Sequence, residues 1–221
     1  MPAAREALLD AAALAVGERP WSAVRMVDVA RAAGVSRQTL YNEFGSKDGL
    51  ARALLCREVD AFLRGVERIA ALPGDTVADR LVPLAEWTVD RLTARPLLRG
   101  LLTGCRDTAL PAPPPLPDGP TGRTVPARRR ADGGPPDPAG LLAAVRRRSL
   151  AAVARAGRQQ SGAGGAEAVP YGLPVRCELA VRLALSYAIA PTGDGVGALV
   201  RTAFGAGEPG VSGPSRRAGG R

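Results

Sequence analysis

The sequence predicts an all-α protein, built as a small three-helix unit followed by a larger helical body. Three observations carry that prediction. Of the 221 residues 46% are hydrophobic but only 4% aromatic, so the core must be mostly alanine, leucine and valine. That mix, with few β-branched runs and little period-two alternation, favours helices over strands. Apolar residues recur instead at steps of three to five in one segment after another. A chain of this length can bury a proper core.

The first helix is expected over residues 3–17, where Leu8, Ala11, Ala12 and Ala15 fall at helical spacing and Gly17 ends it. Trp21, in the loop that follows, reads as core filler. Residues 25–50, RMVDVARAAGVSRQTLYNEFGSKDGL, then organise the rest of the chain. Val27, Val29, Ala30 and Ala33 give a short helix its apolar face, and Gly34 sits just past its end. Ser36 is placed to cap the next helix by accepting a bond from a free backbone N–H. That helix runs from Arg37 to about Phe44, with Leu40 and Phe44 inward and Arg37, Gln38, Thr39, Tyr41 and Asn42 outward. Two short helices joined by a tight Gly-Val-Ser turn make a helix-turn-helix, whose second helix fits a DNA major groove.

One long helix is expected over residues 46–72. Leu50, Leu54, Val59, Phe62, Val66 and Ile69 lie along its inner face. It can begin in the small unit and end in the body, as a lever between them. Pro73-Gly74 closes it, and Thr76 with Asp79 opens a helix striped by Val77, Leu81, Leu84, Thr88 and Leu92. Pro96 begins a short helix reaching about residue 108. Residues 109–138 differ in kind: ten of the 28 residues from 111 to 138 are proline, and they cannot build a core. They read as a mobile insertion carrying an Arg128-Arg129-Arg130 cluster, either a solvated charge run or a basic arm. Helix resumes over residues 139–159, breaks at a Gly-rich stretch, and returns as two apolar helices over 175–190 and 196–204. The expected layout is therefore a helix-turn-helix domain over 1–48, a helical body over 49–204 and a disordered tail over 205–221.

Net charge is +9, but its distribution matters more than its size. Residues 1–50 carry six cations (Arg5, Arg19, Arg25, Arg31, Arg37, Lys47) and six anions (Glu6, Asp10, Glu18, Asp28, Glu43, Asp48). The excess sits in the insertion and the tail, so any nucleic-acid reading rests on the motif rather than on bulk charge. Several classes are disfavoured. With no histidine, the usual general base, the histidine triads and most zinc sites are absent. Cys56, Cys105 and Cys177 lack metal spacing, and no Gly-rich loop follows a strand. The expectation is no enzyme, no metal and no cofactor. The N-terminal stretch does not read as a signal peptide, and the longest apolar run, 179–190, is interrupted by Arg182. With three widely spaced cysteines read as buried thiols, the expectation is a cytoplasmic protein with no membrane partner.

The string DVARAAGVSRQTLYNEFGSKDGL resembles the N-terminal domain of the tetracycline repressor family of bacterial transcription regulators. Its matching features are A-x-x-A-G-V-S, T-L-Y-x-x-F and S-K-x-x-L, in register and without gaps. The resemblance implies a repressor that binds a palindromic double-stranded DNA operator as a homodimer. The pair of helices within 175–204 would form the dimer interface, and a small-molecule effector would release the DNA. A constitutive repressor with no ligand pocket is the alternative.

Within that reading, Gln38 is the first choice for a base reader, because its amide matches N6 and N7 of adenine. Arg37 suits a guanine edge or a phosphate, the Thr39 methyl a thymine methyl, and Asn42 either a base or a phosphate. Ser36, Tyr41 and Lys47 are expected phosphate contacts, the last two because they correspond to residues used this way in the family. Two departures stand out. Val24-Arg25 replaces the small hydroxyl residue common before the second helix, so Arg25 is expected to take over its phosphate contact. Gln38 stands where glycine is common. For the effector, Leu84, Trp87, Thr88, Arg91, Leu101, Leu102, Cys105 and Tyr187 are candidate pocket walls; Trp87 and Tyr187 suit either stacking on a ligand or core packing.

Overall fold

The computed structural model describes residues 2–74, 76–103, 137–160 and 172–205. Among these residues all regular structure is helical. Helix α1 spans Pro2–Glu18, and a single 3-10 turn at Trp21–Ala23 leads into α2, Met26–Ala32. Helices α3, Arg37–Phe44, and α4, Lys47–Ala70, follow. The body adds α5, Val77–Ala94, α6, Pro96–Thr103, α7, Pro138–Gln160, α8, Leu173–Ile189, and α9, Gly195–Gly205.

The head closes around one apolar cluster. Leu8, Leu9, Ala11, Ala12 and Ala15 of α1 meet Trp21, Val24, Met26, Val29, Ala30, Leu40 and Leu50 there. One expectation fails: Val27 does not belong to the buried face of α2 but is 42% exposed. Because α2 starts at Met26, positions 26, 29, 30 and 33 make the inward stripe, and Val27 is rotated about 100° off it. At the turn, Gly34 takes φ 67°, a left-handed conformation that a Cβ disfavours. Val35 N–H reaches back to the Ala30 carbonyl at 3.0 Å, which closes α2 and redirects the chain into α3.

Helix α4 belongs to two cores. Leu50, Ala51, Leu54 and Leu55 pack in the head, whereas Val59, Phe62, Leu63, Val66 and Ile69 pack in the body. Adjacent residues at the changeover tie it to both sides. The Arg57 guanidinium donates to Asp10 Oδ1 at 2.7 Å and to the Leu9 carbonyl at 2.9 Å in α1. Glu58, buried, pairs with Arg95 beyond α5 at 3.4 Å. Short helix α6 straddles the same division: Leu97 sits in the head cluster, Leu98 and Leu102 in the body, and Leu101 touches both.

In the body, α5 packs against α8 and α9, while α7 packs against α4 and α8. The Thr76 hydroxyl caps α5 by accepting from Asp79 N–H at 3.1 Å, and the Asp79 carboxylate accepts from Thr76 N–H at 3.0 Å. Glu67 of α4 receives Arg148 at 2.7 Å and Arg155 at 3.6 Å from α7. The backbone N–H of Gly140 donates to the Asp137 carboxylate at 2.6 Å, so α7 is capped from the last residues of the Pro-rich stretch. Residues 104–136, with the expected end of α6, Cys105 and most of the insertion, lie outside the described residues, as does 206–221 of the tail. Cys177 is buried, and that burial pushes its thiol up; Cys56 is half-buried. Among the described residues no helix is long and apolar enough to cross a membrane.

Candidate nucleic-acid interface

The geometry of α3 follows from its ends and its eight-residue length. Ser36 is extended, and its Oγ accepts from Thr39 N–H at 3.0 Å, so one unpaired donor of the first turn is satisfied. The same oxygen lies 2.8 Å from Thr39 Oγ1, which turns the Thr39 hydroxyl back along the helix. Leu40 is fully buried and anchors the helix to the head. Arg37, Gln38 and Asn42 are exposed beside half-buried Thr39 and Tyr41. The structure therefore brings the expected α3 residues onto one accessible surface.

Contacts within that surface restrict its side chains. Gln38 Nε2 donates to Asn42 Oδ1 at 2.9 Å. The Arg37 guanidinium lies 5.4 Å from the centre of the Tyr41 ring. Neither contact figured in the sequence reading, although both pairs are four residues apart on a helix, the spacing at which side chains meet.

Arg25 and Lys47 flank α3 from neighbouring elements. Arg25 is the extended N-cap of α2 and makes no side-chain cap; its Nε donates to Asp28 Oδ2 at 2.9 Å. That bond holds the Asp28 carboxyl below the ordinary carboxylate range, helped by the charges of Arg25, Arg19 and Arg31. Because Arg25 uses Nε, its two terminal nitrogens remain available to an anion. Lys47, at the start of α4, donates from Nζ to the Ser22 carbonyl at 3.2 Å and lies 5.2 Å from the centre of the Trp21 ring. Its ammonium thus ties the 3-10 turn to α4. Sequence reasoning also missed Arg5, whose guanidinium sits 4.8 Å from the Phe44 ring centre and holds the end of α3 against α1. Nothing in local spacing could have shown it, since the two residues come from distant helices.

The candidate effector residues among the described residues are all part of the body's packing; Cys105 lies outside them. Leu84 and Thr88 are buried in α5, and the Thr88 hydroxyl donates to the Leu84 carbonyl at 2.7 Å. Trp87 stacks on Phe62 with ring centres 5.5 Å apart, and Arg91 lies 5.5 Å from the Trp87 ring centre. Leu101, Leu102 and Tyr187 pack on the core, and the Tyr187 hydroxyl donates to the Thr192 carbonyl at 3.2 Å. A cleft of about 720 Å³ is formed elsewhere, between α1, the end of α3 and α4, and none of these residues lines it. Ser149 of α7 was not foreseen: its Oγ is buried with no hydrogen-bond partner of normal geometry, though it lies close enough to Cys177 to offset slightly the rise of that thiol.

Comparison with known proteins agrees with this layout. Residues 8–54 match the family of bacterial regulatory proteins described as the tetR family. The chain is similar to the HTH-type transcriptional regulator AlkX of Mycobacterium tuberculosis, with 41% identity over 101 residues, 45% of this chain and 47% of that protein. The matched region thus spans about half the length of the curated relative. Its fold is similar to the crystal structure of the TetR family repressor AlkX from Dietzia sp. strain DQ12-45-1b, described as implicated in biodegradation of n-alkanes. There the TM-score is 0.53 and the identity 21%, over 90% of this chain and 91% of that one. FadR from Bacillus subtilis, in complex with stearoyl-CoA, is more distant, at TM-score 0.47 and 15% identity over 89% and 94%. Residues 8–54, with the capped, outward-facing α3 among them, are thus similar to the tetR family of bacterial regulatory proteins, and the helical body behind them shares the fold of a solved repressor.

Proposed function

We propose that this protein is a tetR-type transcriptional repressor that reads an inverted-repeat operator through α3. The observation that carries the proposal is the outward surface of α3, where Arg37, Gln38 and Asn42 stand exposed on a helix anchored by Leu40. A short helix so presented fits the major groove, with Gln38 and Arg37 at base edges and Ser36, Tyr41, Lys47 and Arg25 toward phosphates. The 1–48 unit acts as the reading head and 49–204 as the regulatory body.

The protein acts as a homodimer through α8 and α9. On α8, Val175, Leu179, Arg182, Ser186 and Ile189 follow at steps of four and three along one exposed face. Three of them are apolar and 39%, 44% and 66% exposed, an unusual cost for a face left in water. A second copy would bury them, and a two-fold dimer matches an inverted repeat. A Leu179→Arg variant should run as a monomer in light scattering and bind DNA more weakly; a variant with the parent's mass would contradict the interface.

An effector that prefers one arrangement of the two heads would release the DNA by shifting populations. A second reading, constitutive repression, is favoured by one observation: Trp87, Thr88 and Tyr187 are already engaged by protein partners. Thermal shift of the purified protein against a panel of small molecules separates the two. A stabilising hit that also lowers DNA affinity supports the effector, and its absence across the panel supports the constitutive reading.

A further inference from the structure

We propose that Asn42 is a positioning residue, which fixes the Gln38 amide for reading an adenine and does not itself read a base. The inference rests on the DNA-binding role of α3 proposed above. Its observation is the hydrogen bond from Gln38 Nε2 to Asn42 Oδ1 at 2.9 Å, one helical turn apart on the exposed surface.

The chemistry of the amide makes that bond consequential. Adenine offers the major groove one acceptor, N7, and one donor pair, N6. A glutamine satisfies both only by presenting Oε1 to N6 and an N–H to N7. Its amide nitrogen carries two N–H groups. One is given to Asn42; the other, together with Oε1, remains for the base. While Asn42 presents Oδ1, an amide turned over would bring Oε1 against it, two acceptors facing each other. The Asn42 acceptor therefore selects the orientation and lowers the freedom that an exposed glutamine would lose on binding. Asn42 keeps a second lone pair on Oδ1, but that oxygen is turned toward Gln38, which disfavours a bidentate base contact of its own.

The test is binding of the full chain to its selected operator and to single-base-pair variants of it, by fluorescence anisotropy. Both side chains are exposed, so the variants should keep the parent's melting temperature. Gln38→Ala should lose discrimination at one base pair per half-site, by about five- to 150-fold. Asn42→Ala should weaken discrimination at that same base pair by about two- to tenfold, the worth of one neutral hydrogen bond. It should add little in the double variant Gln38→Ala/Asn42→Ala. Asn42→Asp keeps the acceptor, so it should hold the adenine preference while its charge lowers affinity for every sequence. If Asn42→Ala relaxes a different base pair, Asn42 is a reader and the proposal is overturned. Equal weakening of all sequences would make it a phosphate contact, with the same consequence. If Gln38→Ala leaves every preference intact, the assignment of Gln38 fails first, and that outcome is distinct from either of the others.

Discussion

Trp87 of α5 sets the Cζ2–Cη2 edge of its ring against Gly65 of α4, so close that a Cβ at Gly65 would overlap it. The contact explains a glycine in the buried middle of a 24-residue helix, where alanine is intrinsically better by about 1 kcal/mol. Two effects oppose each other in Gly65→Ala. Helix propensity favours the alanine, but overpacking a ring already stacked on Phe62 costs about 1–3 kcal/mol and wins. The melting temperature should fall by a few degrees. A rise would show that Trp87 moves freely, as a ligand-accepting side chain should.

Ser149 gives the opposite sign. Its buried Oγ has no hydrogen-bond partner of normal geometry, only the Cys177 thiol nearby, and a buried polar group left unsatisfied costs about 1–3 kcal/mol. Ser149→Ala should therefore match or exceed the parent in stability, by up to about 1 kcal/mol, in urea unfolding. If the hydroxyl is what an effector binds, the same variant should lose its thermal shift with that effector.

Lys47 has a structural role and a proposed phosphate contact, which one variant separates. Its bond to the Ser22 carbonyl and its position over Trp21 steady the head. As a phosphate contact it should also release a counterion. Lys47→Ala should lower the slope of log affinity against log salt by about 1 for each bound head and weaken all sequences alike. An unchanged slope with a lower melting temperature would leave only the structural role.

The Arg25–Asp28 pair predicts a small acid effect. Asp28 has a folded-state pKa below its unfolded value, chiefly through the Arg25 hydrogen bond. Its contribution to stability is therefore complete above the unfolded pKa and is lost as pH falls through the folded one. Asp28→Asn should lose stability near neutrality relative to the parent, and the gap should close in acid. A gap that stays constant down the acid limb, followed by urea midpoints, would show that the pair contributes through packing alone.

Much of this was legible in the residues, for reasons that differ by element. Caps are local, so Ser36 and the Thr76/Asp79 box could be read from spacing and were found with the expected partners. The stripe of α4 was legible because its period persists from Leu50 to Ile69. Val27 misled because a valine in the first turn of a seven-residue helix looks apolar whichever way the helix is phased, and the buried Met26 sets the phase. Contacts across the chain were beyond reach. Arg5 on Phe44, Arg57 on Asp10 and Trp87 on Gly65 join residues whose separation no periodicity records. For Lys47 the resemblance implied a phosphate contact, but its bond to Ser22 could not be read, because it depends on how the 3-10 turn folds against α4.

The proposed task of α3 is to read DNA with Gln38 as its discriminating residue. Selection of bound sequences from a randomised duplex pool by the full chain tests it most directly, run in parallel with Gln38→Ala. The parent should enrich an inverted repeat, with an A·T pair in each half-site that the variant no longer selects. No enriched sequence, or the same sequence enriched by both proteins, would contradict it.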